Sequence, residues 1–249
     1  MGYDLWGKTT LNIILFQPEE VELPLSSTDP RACHILGVLR LKPAATFDAG
    51  LIDGPRGVGT LVSINQDSLT LSFAWGNSPP PLCPIHLLIG LPRPQTARDI
   101  LRDATTLGVA SLRFIRSERG ERSYFDSSLW KSDDWKKCVI NGASQAFCTR
   151  LPEVTCGENL SEAIALLSLE TNRVALDNYE APISLAEFNP AIFMATAIAL
   201  GSERGWSPDE RTALRNAGFI FAHLGPRVLR TETACVAAVT LVKAKLGLF

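Results

Sequence analysis

Several catalytic and cofactor signatures are missing from this chain of 249 residues. It has no Gly-x-Gly-x-x-Gly after the first strand, no Walker lysine loop, no His-Glu-x-x-His and no Gly-x-Ser-x-Gly. Rossmann-type nucleotide binding, zinc hydrolysis and serine hydrolysis therefore lose their usual sequence support. Cys33, Cys83, Cys138, Cys148, Cys156 and Cys235 form no CxxC pair and have no histidine at ligand spacing, so buried thiols are expected, with no metal and no disulfide. Long apolar runs are also missing. Pro84–Leu91 and Pro190–Leu200 stop well short of the roughly 20 residues needed to span a bilayer. Met1–Gly7 carries Asp4 and Trp6, and no small-residue cleavage site follows Leu11–Phe16. This stretch does not resemble a secretory signal, and a cytoplasmic location, away from membranes, is the expectation.

What is present is an ordinary globular composition, 46% hydrophobic and 20% charged, with a net charge of −2. That average conceals segregation. Residues 93–150 hold 11 basic and 7 acidic side chains, whereas residues 1–92 hold 5 and 8 and residues 151–249 hold 8 and 11. A basic middle between acidic flanks suits selective contact with a phosphate backbone, and equally a solvated, charge-rich helical surface. Within it Arg113, Arg116, Arg119 and Arg122 recur every third residue from a strand end into a loop, where binding residues collect.

Alternating or β-branched runs at Leu11–Phe16, Ala45–Ile52, Gly57–Asn65 and Ser68–Trp75 predict a small barrel, with a helical insert over Asp29–Leu41 as its lid. His34 in that insert reads as a partly buried, satisfied histidine. Asn77–Pro84 has four prolines in eight residues and marks a domain boundary. Beyond it strands and helices alternate. Strands are expected at Ile85–Leu91, Val109–Ile115, near Val154, at Arg173–Leu176, Ala195–Leu200 and Phe219–Leu224, and helices at Gln95–Leu107, Asp133–Phe147, Asn159–Leu167, Pro208–Ala217 and from Ala234 to Leu246. Such alternation predicts a mostly parallel sheet covered on both faces, an α/β fold.

The stretch Leu224-Gly-Pro-Arg-Val-Leu-Arg-Thr-Glu-Thr-Ala234 lies between the last strand and the last helix. Open α/β sheets bind ligands at such strand-end, helix-start junctions. Thr231 is expected to cap the helix, with Glu232 in its first turn. Arg227 and Arg230 exceed what capping requires.

This stretch resembles the C-terminal signature of the RsmE-type RNA methyltransferases of the SPOUT superfamily, Leu-Gly-x-Arg-Ile/Val-Leu-Arg-x-Glu-Thr-Ala. Leu200-Gly-Ser-Glu-Arg-Gly-Trp-Ser207 resembles a second element of the family, with Ser202 where proline and Arg204 where glycine is usual. His34-Ile-Leu-Gly-Val-Leu-Arg40 and Gln145 to Arg150 resemble two more. Asp103, Thr106 and Ser144 depart from the family's usual lysine, glutamate and glutamate.

The resemblance implies a PUA-like RNA-binding β-barrel over residues 1–78 and a SPOUT domain with a deep trefoil knot over residues 84–249. It implies a homodimer that uses S-adenosyl-L-methionine to methylate N3 of a uridine in 16S ribosomal RNA, alone or in the small ribosomal subunit. The cofactor would lie against Leu176, Leu200, Gly201, Glu203, Gly205, Leu224, Gly225, Val228, Leu229 and Thr233, and RNA against Arg40, Arg113, Arg116, Arg119, Arg122 and Arg150. A glycine in place of Arg204 would supply positive φ or close approach, so Arg204→Gly is expected to tighten cofactor binding. Loss of the N3 proton spreads negative charge onto O2 and O4, which Arg230 would stabilise, with Glu203 or Glu232 orienting it or the cofactor. The alternatives are a simple Arg230–Glu232 loop ion pair, an RNA-binding protein that has lost catalysis, and methylation of a different nucleotide.

Overall fold

The computed structural model describes residues 12–249, which cluster into two compact units. Residues 1–11, with the start of the expected Leu11–Phe16 strand, lie outside the described residues. One unit comprises the described part of Met1–Pro81 together with Ala143–Leu151. Its strands are β1 (Ile14–Phe16), β2 (Leu25–Ser26), β3 (Thr46–Leu51), β4 (Arg56–Ile64) and β5 (Ser68–Trp75), ordered β1-β3-β4-β5-β2. All pairs are antiparallel except β1 with β3. Phe16, Phe47, Leu61 and Leu69 of the strands and Ile35 of the insert fill its core.

The expected Asp29–Leu41 helix is shorter and of mixed type. Asp29 caps the single turn α1 (Pro30–Cys33), which passes into a π-helical turn over His34–Val38. The run ends as Arg40 enters the left-handed region at φ 53°. His34 is half-buried.

Ala143–Leu151 enters this unit through backbone. Ile13 N–H donates to the Ser144 carbonyl and Asp53 N–H to that of Thr149, while Thr149 Oγ1 donates to the Gly54 carbonyl at 2.5 Å.

The other unit, Leu82–Gly142 with Pro152–Phe249, is built on a parallel sheet. Its strands are β6 (Cys83–Gly90), β7 (Val109–Arg116), β8 (Glu153–Asn159), β9 (Thr171–Leu176), β10 (Ile183–Ser184), β11 (Ala195–Leu200) and β12 (Ile220–His223), ordered β10-β12-β9-β11-β6-β7-β8. The sequence pattern anticipates all but the two-residue β10. The helices are α2 (Pro94–Thr106), α3 (Ser128–Lys131), α4 (Asp134–Gln145), α5 (Leu160–Ala165), α6 (Pro208–Asn216) and α7 (Thr231–Lys245).

Leu88, Ala175, Ala197, Ala199, Trp206 and Phe221 form a core with Leu160 and Ala163 of α5 and Leu214 of α6. Residues of opposite parity, such as Leu87, Ile89 and Ile198, are equally buried on the other face, where α2 and α7 pack on each other and on β7 and β11. Burial on both faces explains why these strands read as unbroken apolar runs.

All six cysteines are free. Cys235 is buried, Cys33 is exposed and the others lie between, so the expectation of buried thiols fails at Cys33, which sits on the short α1 turn. Burial pushes the Cys156 and Cys235 thiols up to about 12. Among the described residues no helix is long and apolar enough to cross a membrane, and no three His, Cys, Asp or Glu side chains gather to hold a metal.

Candidate active site

The carboxyl ends of the central strands are in step: Leu200 pairs with both Leu176 and Ile89, and Leu176 with Ala222. The segments after β9, β11 and β12 therefore leave the sheet side by side, where ligands of parallel sheets bind.

The segment after β11 is the tightest. A Cβ added to Gly90 would lie 2.5 Å from the Ser202 amide nitrogen, and one on Gly201 3.0 Å from the Gly205 backbone. Gly205 has φ 68° and its N–H closes the turn on the Ser202 carbonyl at 2.8 Å. Trp206 is fully buried and its indole N–H donates to the Leu176 carbonyl at 3.1 Å, tying this turn to the end of β9. The capping box of Ser207 and Glu210 then starts α6, and Glu210 also accepts from the Glu118 N–H at 2.9 Å.

Asp177 follows β9. Its carboxylate accepts from the N–H groups of Tyr179 and Glu180 and from Arg211 Nε at 2.7 Å, with the two side chains of that pair 1% and 6% exposed. A buried ion pair of this kind fixes a turn because breaking it strands a charge. Sequence reading missed Asp177 and Arg211. The only local signal is an acidic residue directly at the end of a buried strand.

After β12, His223 Nδ1 accepts from the Gly225 N–H at 3.0 Å, and Gly225 has φ 100°. Arg230, in extended conformation, occupies the N-cap position of α7 without a side-chain capping bond. Thr231 is the first helical residue and not the expected cap, because the chain turns helical one residue earlier than the Thr-capped pattern suggests.

These segments enclose one pocket, and eight of the ten expected cofactor residues line it: Leu176, Leu200, Gly201, Glu203, Gly205, Leu224, Val228 and Leu229. Tyr179, Trp206 and His223 join them. Gly225 shapes the turn, and Thr233 is exposed away from the pocket. An adjoining cleft holds Arg230 and Glu232 with Arg93, Gln95, Thr96 and Asp99, and shares Glu203, Leu229 and Thr231 with the pocket.

Glu203 does not orient Arg230. It accepts from the Arg93 N–H at 2.9 Å and faces Arg93 Nε at 3.8 Å, which satisfies a free amide at the start of α2. Neither Arg230 nor Glu232 has an ion-pair partner among the described residues, so the simple loop ion pair is not formed.

Arg204 is exposed, its backbone lies outside the left-handed region, and its carbonyl accepts from Arg119 Nη1 at 3.3 Å. The reason for expecting a glycine there to tighten the loop is therefore removed. The regularly spaced arginines diverge. Arg113 is only 12% exposed and pairs with Glu153 at 3.1 Å and Glu158 at 3.2 Å, so its charge is met within the sheet. The charge count could not reveal that β8 sets two glutamates beside it. Arg116, Arg119 and Arg122 are exposed and without ion pairs among the described residues. In the other unit, Arg40 is exposed and Arg150 Nε donates to the Pro80 carbonyl at 3.1 Å.

Residues 78–243 match the RNA methyltransferase domain family. A Ribosomal RNA small subunit methyltransferase E from Treponema pallidum is 37% identical over 246 residues, covering 94% of this chain and 91% of that one. Ribosomal RNA small subunit methyltransferase E 1 of Borreliella burgdorferi is 28% identical, covering 95% and 99%. The fold is shared with a probable rRNA-methyltransferase from Porphyromonas gingivalis, with a TM-score of 0.79, 21% identity and coverage of 94% and 99%. It is also shared with the Neisseria gonorrhoeae Ribosomal RNA small subunit methyltransferase E bound to S-adenosyl methionine, with a TM-score of 0.74, 23% identity and coverage of 93% and 97%. The pocket at the strand ends, the signature that lines it and this end-to-end likeness agree, and the chain belongs to the ribosomal RNA small subunit methyltransferase E family.

Proposed function

We propose that this chain methylates N3 of a uridine in small-subunit (16S) ribosomal RNA, using S-adenosyl-L-methionine. The observation that carries the proposal is the pocket at the ends of β9, β11 and β12, with the unpaired cation of Arg230 in the adjoining cleft. The lining suits the cofactor. Gly201 and Gly205 bring bare backbone to the surface, Leu200, Leu224 and Leu229 supply apolar walls, and the Ser202 hydroxyl is buried without a hydrogen-bond partner among the described residues. When bound, the cofactor supplies a methyl group activated by its sulfonium.

The chain's own part is to hold, orient and compensate charge. Asp177 and Arg211 keep the segment after β9 in place, and Trp206 locks the segment after β11 to it. Methylation replaces the N3 proton of the acceptor ring, and negative charge rests on O2 and O4 while that proton is away. Arg230, held at a helix start whose free N–H groups add to its field, is the donor aimed at that charge. Arg116, Arg119 and Arg122 are the RNA-facing set, with Arg40 and Arg150 in the first unit. Arg113 is left out, because a phosphate would have to displace two carboxylates.

The proposal includes a PUA-like barrel over residues 1–78, a SPOUT domain over residues 84–249 whose C-terminal segment forms the trefoil knot, a homodimer and a cytoplasmic site of action. The non-catalytic alternative drew on Ser202 with Arg204, on Asp103 with Thr106 and on Ser144, and the first of these does not disturb the turn that Gly201 and Gly205 form. Calorimetric titration of the full chain with S-adenosyl-L-methionine, followed by mass-spectrometric mapping of methylated small-subunit rRNA, tests the reading. Saturable binding and one N3-methylated uridine are expected. No binding would leave an RNA-binding protein, and a methyl group on another base would correct the acceptor.

A further inference from the structure

Beside the pocket is a second cavity of about 590 Å³, walled by the segment after β7 and by Leu91 after β6. Its lining includes Arg116, Ser117, Glu118, Glu121, Arg122 and Phe125. The volume is in the range of small-ligand sites. A recess lined by Arg93, Arg119, Glu121, Tyr124, Glu203 and Arg204 connects the two. Glu121 belongs to both cavity and recess, and Glu203 and Arg204 to both recess and pocket. The cavity wall is also pinned to the pocket wall by Glu118 N–H on Glu210 and Arg119 Nη1 on the Arg204 carbonyl.

The lining discriminates between ligands. Glu118, Glu121 and Asp126 stand beside Arg116 and Arg122, and three carboxylates repel a bare phosphate. A neutral base, with N–H donors for carboxylates and carbonyl acceptors for guanidiniums, satisfies both signs. A stacking platform is already built, since the Arg116 guanidinium lies over the Phe125 ring at 4.7 Å with no carboxylate partner among the described residues. Unstacked bases are held on such planes. Polar atoms also await partners here. Of the buried side-chain atoms without a hydrogen bond among the described residues, the Ser117 hydroxyl lies in the wall, and the Ser127 hydroxyl and Trp130 indole N–H follow in the same segment.

We propose that this cavity is the acceptor subsite, which takes a single pyrimidine base swung out of its RNA strand and presents its edge along the recess toward the methyl donor. This rests on the methyltransferase reading above. A base buried in a helix must leave its stack before its ring nitrogen can be reached. The arrangement separates roles: Arg116 and Phe125 hold the base, while Arg119 and Arg122 at the rim meet the strand.

The test uses the full wild-type chain and single-stranded oligouridine carrying one 4-thiouridine, irradiated and mapped by mass spectrometry. Crosslinks within residues 116–126 are expected, and crosslinks only elsewhere would overturn the proposal. In parallel, Phe125→Ala should lose about tenfold or more in affinity for the same RNA, with an unchanged salt slope and unchanged S-adenosyl-L-methionine affinity. A wild-type affinity, or a loss with a flattened salt slope, would show that stacking is not the contact. Ser117→Ala should weaken RNA binding a few-fold, and it guards against misfolding of the Phe125 variant. A chain that crosslinks at 116–126 but binds no cofactor would sink the methyltransferase reading and keep the base site, whereas cofactor binding with crosslinks elsewhere would do the reverse.

Discussion

Arg230 stands at a helix start with no carboxylate partner among the described residues, so two accounts of it predict different losses. A donor aimed at developing negative charge is worth on the order of 10²–10³ in kcat, whereas an exposed residue without a partner contributes little to stability. Arg230→Ala should therefore keep its melting temperature and cofactor affinity while rRNA methylation falls about a hundredfold or more, read by single-turnover assay. A second residue gives a pH signature. His86 on β6 shares its Nδ1 with Ser111 Oγ at 2.8 Å, and burial, followed by the charge of Arg113, holds its pKa below the ordinary histidine value. The unfolded chain takes up a proton near pH 6.5 and the native site only at lower pH, so stability falls as pH drops from about 6.5 toward the native pKa. Urea unfolding at pH 7 and pH 5 should show that fall, and His86→Gln should lessen it. Arg230 was legible because a signature surrounds it. His86 was not, because the partner that buries and orients it is 25 residues away on β7.

The turn after β11 is where the elements meet most closely, and two glycine changes around it are expected to behave oppositely. Gly90→Ala places a methyl group 2.5 Å from the Ser202 nitrogen, and backbone cannot yield as a side chain would. Overpacking of that kind costs about 1–3 kcal/mol, so the variant should melt earlier and bind S-adenosyl-L-methionine more weakly in calorimetry. Arg204→Gly, in contrast, relieves no strain, since Arg204 already has an ordinary φ and an exposed side chain. Its cofactor affinity should stay within about twofold of wild type, and clear tightening would show that the arginine side chain obstructs the pocket. Element positions in this unit were readable because buried parallel strands are continuous apolar runs and helices begin at Ser207-Pro208 or Asn159. The buried pair Asp177–Arg211 was unreadable, because it joins a strand end to a helix 34 residues later. The Asp29–Leu41 region was over-read as one helix, because apolar spacing does not distinguish an α turn from the π turn that replaces it.

For the whole molecule, the terminal helix α7 is rich in Ala and Val, a stripe that could serve self-association. That stripe is used within the chain, where Cys235, Ala238, Val239 and Val242 are buried, α7 packs on α2, and Lys243 Nζ donates to the Leu107 carbonyl at 2.9 Å. The proposed dimer rests only on the resemblance of the signature stretches, and light scattering at micromolar concentration is expected to return twice the 27.1 kDa chain mass. A monomer mass would remove it. The division at the proline-rich stretch was visible in composition, but the return of Ala143–Leu151 to the first unit was not, because backbone hydrogen bonds with Ile13 and Asp53 and a single threonine hydroxyl on the Gly54 carbonyl leave no side-chain pattern. That return sets an order of events during translation. When Pro81 is made, the first unit still lacks the segment that supplies Thr149, a fully buried residue, and 70 more residues separate Pro81 from Leu151. At about 5–20 residues per second the nascent unit waits about 4–14 s for its last piece, while β6, α2 and β7 are already emerging behind it.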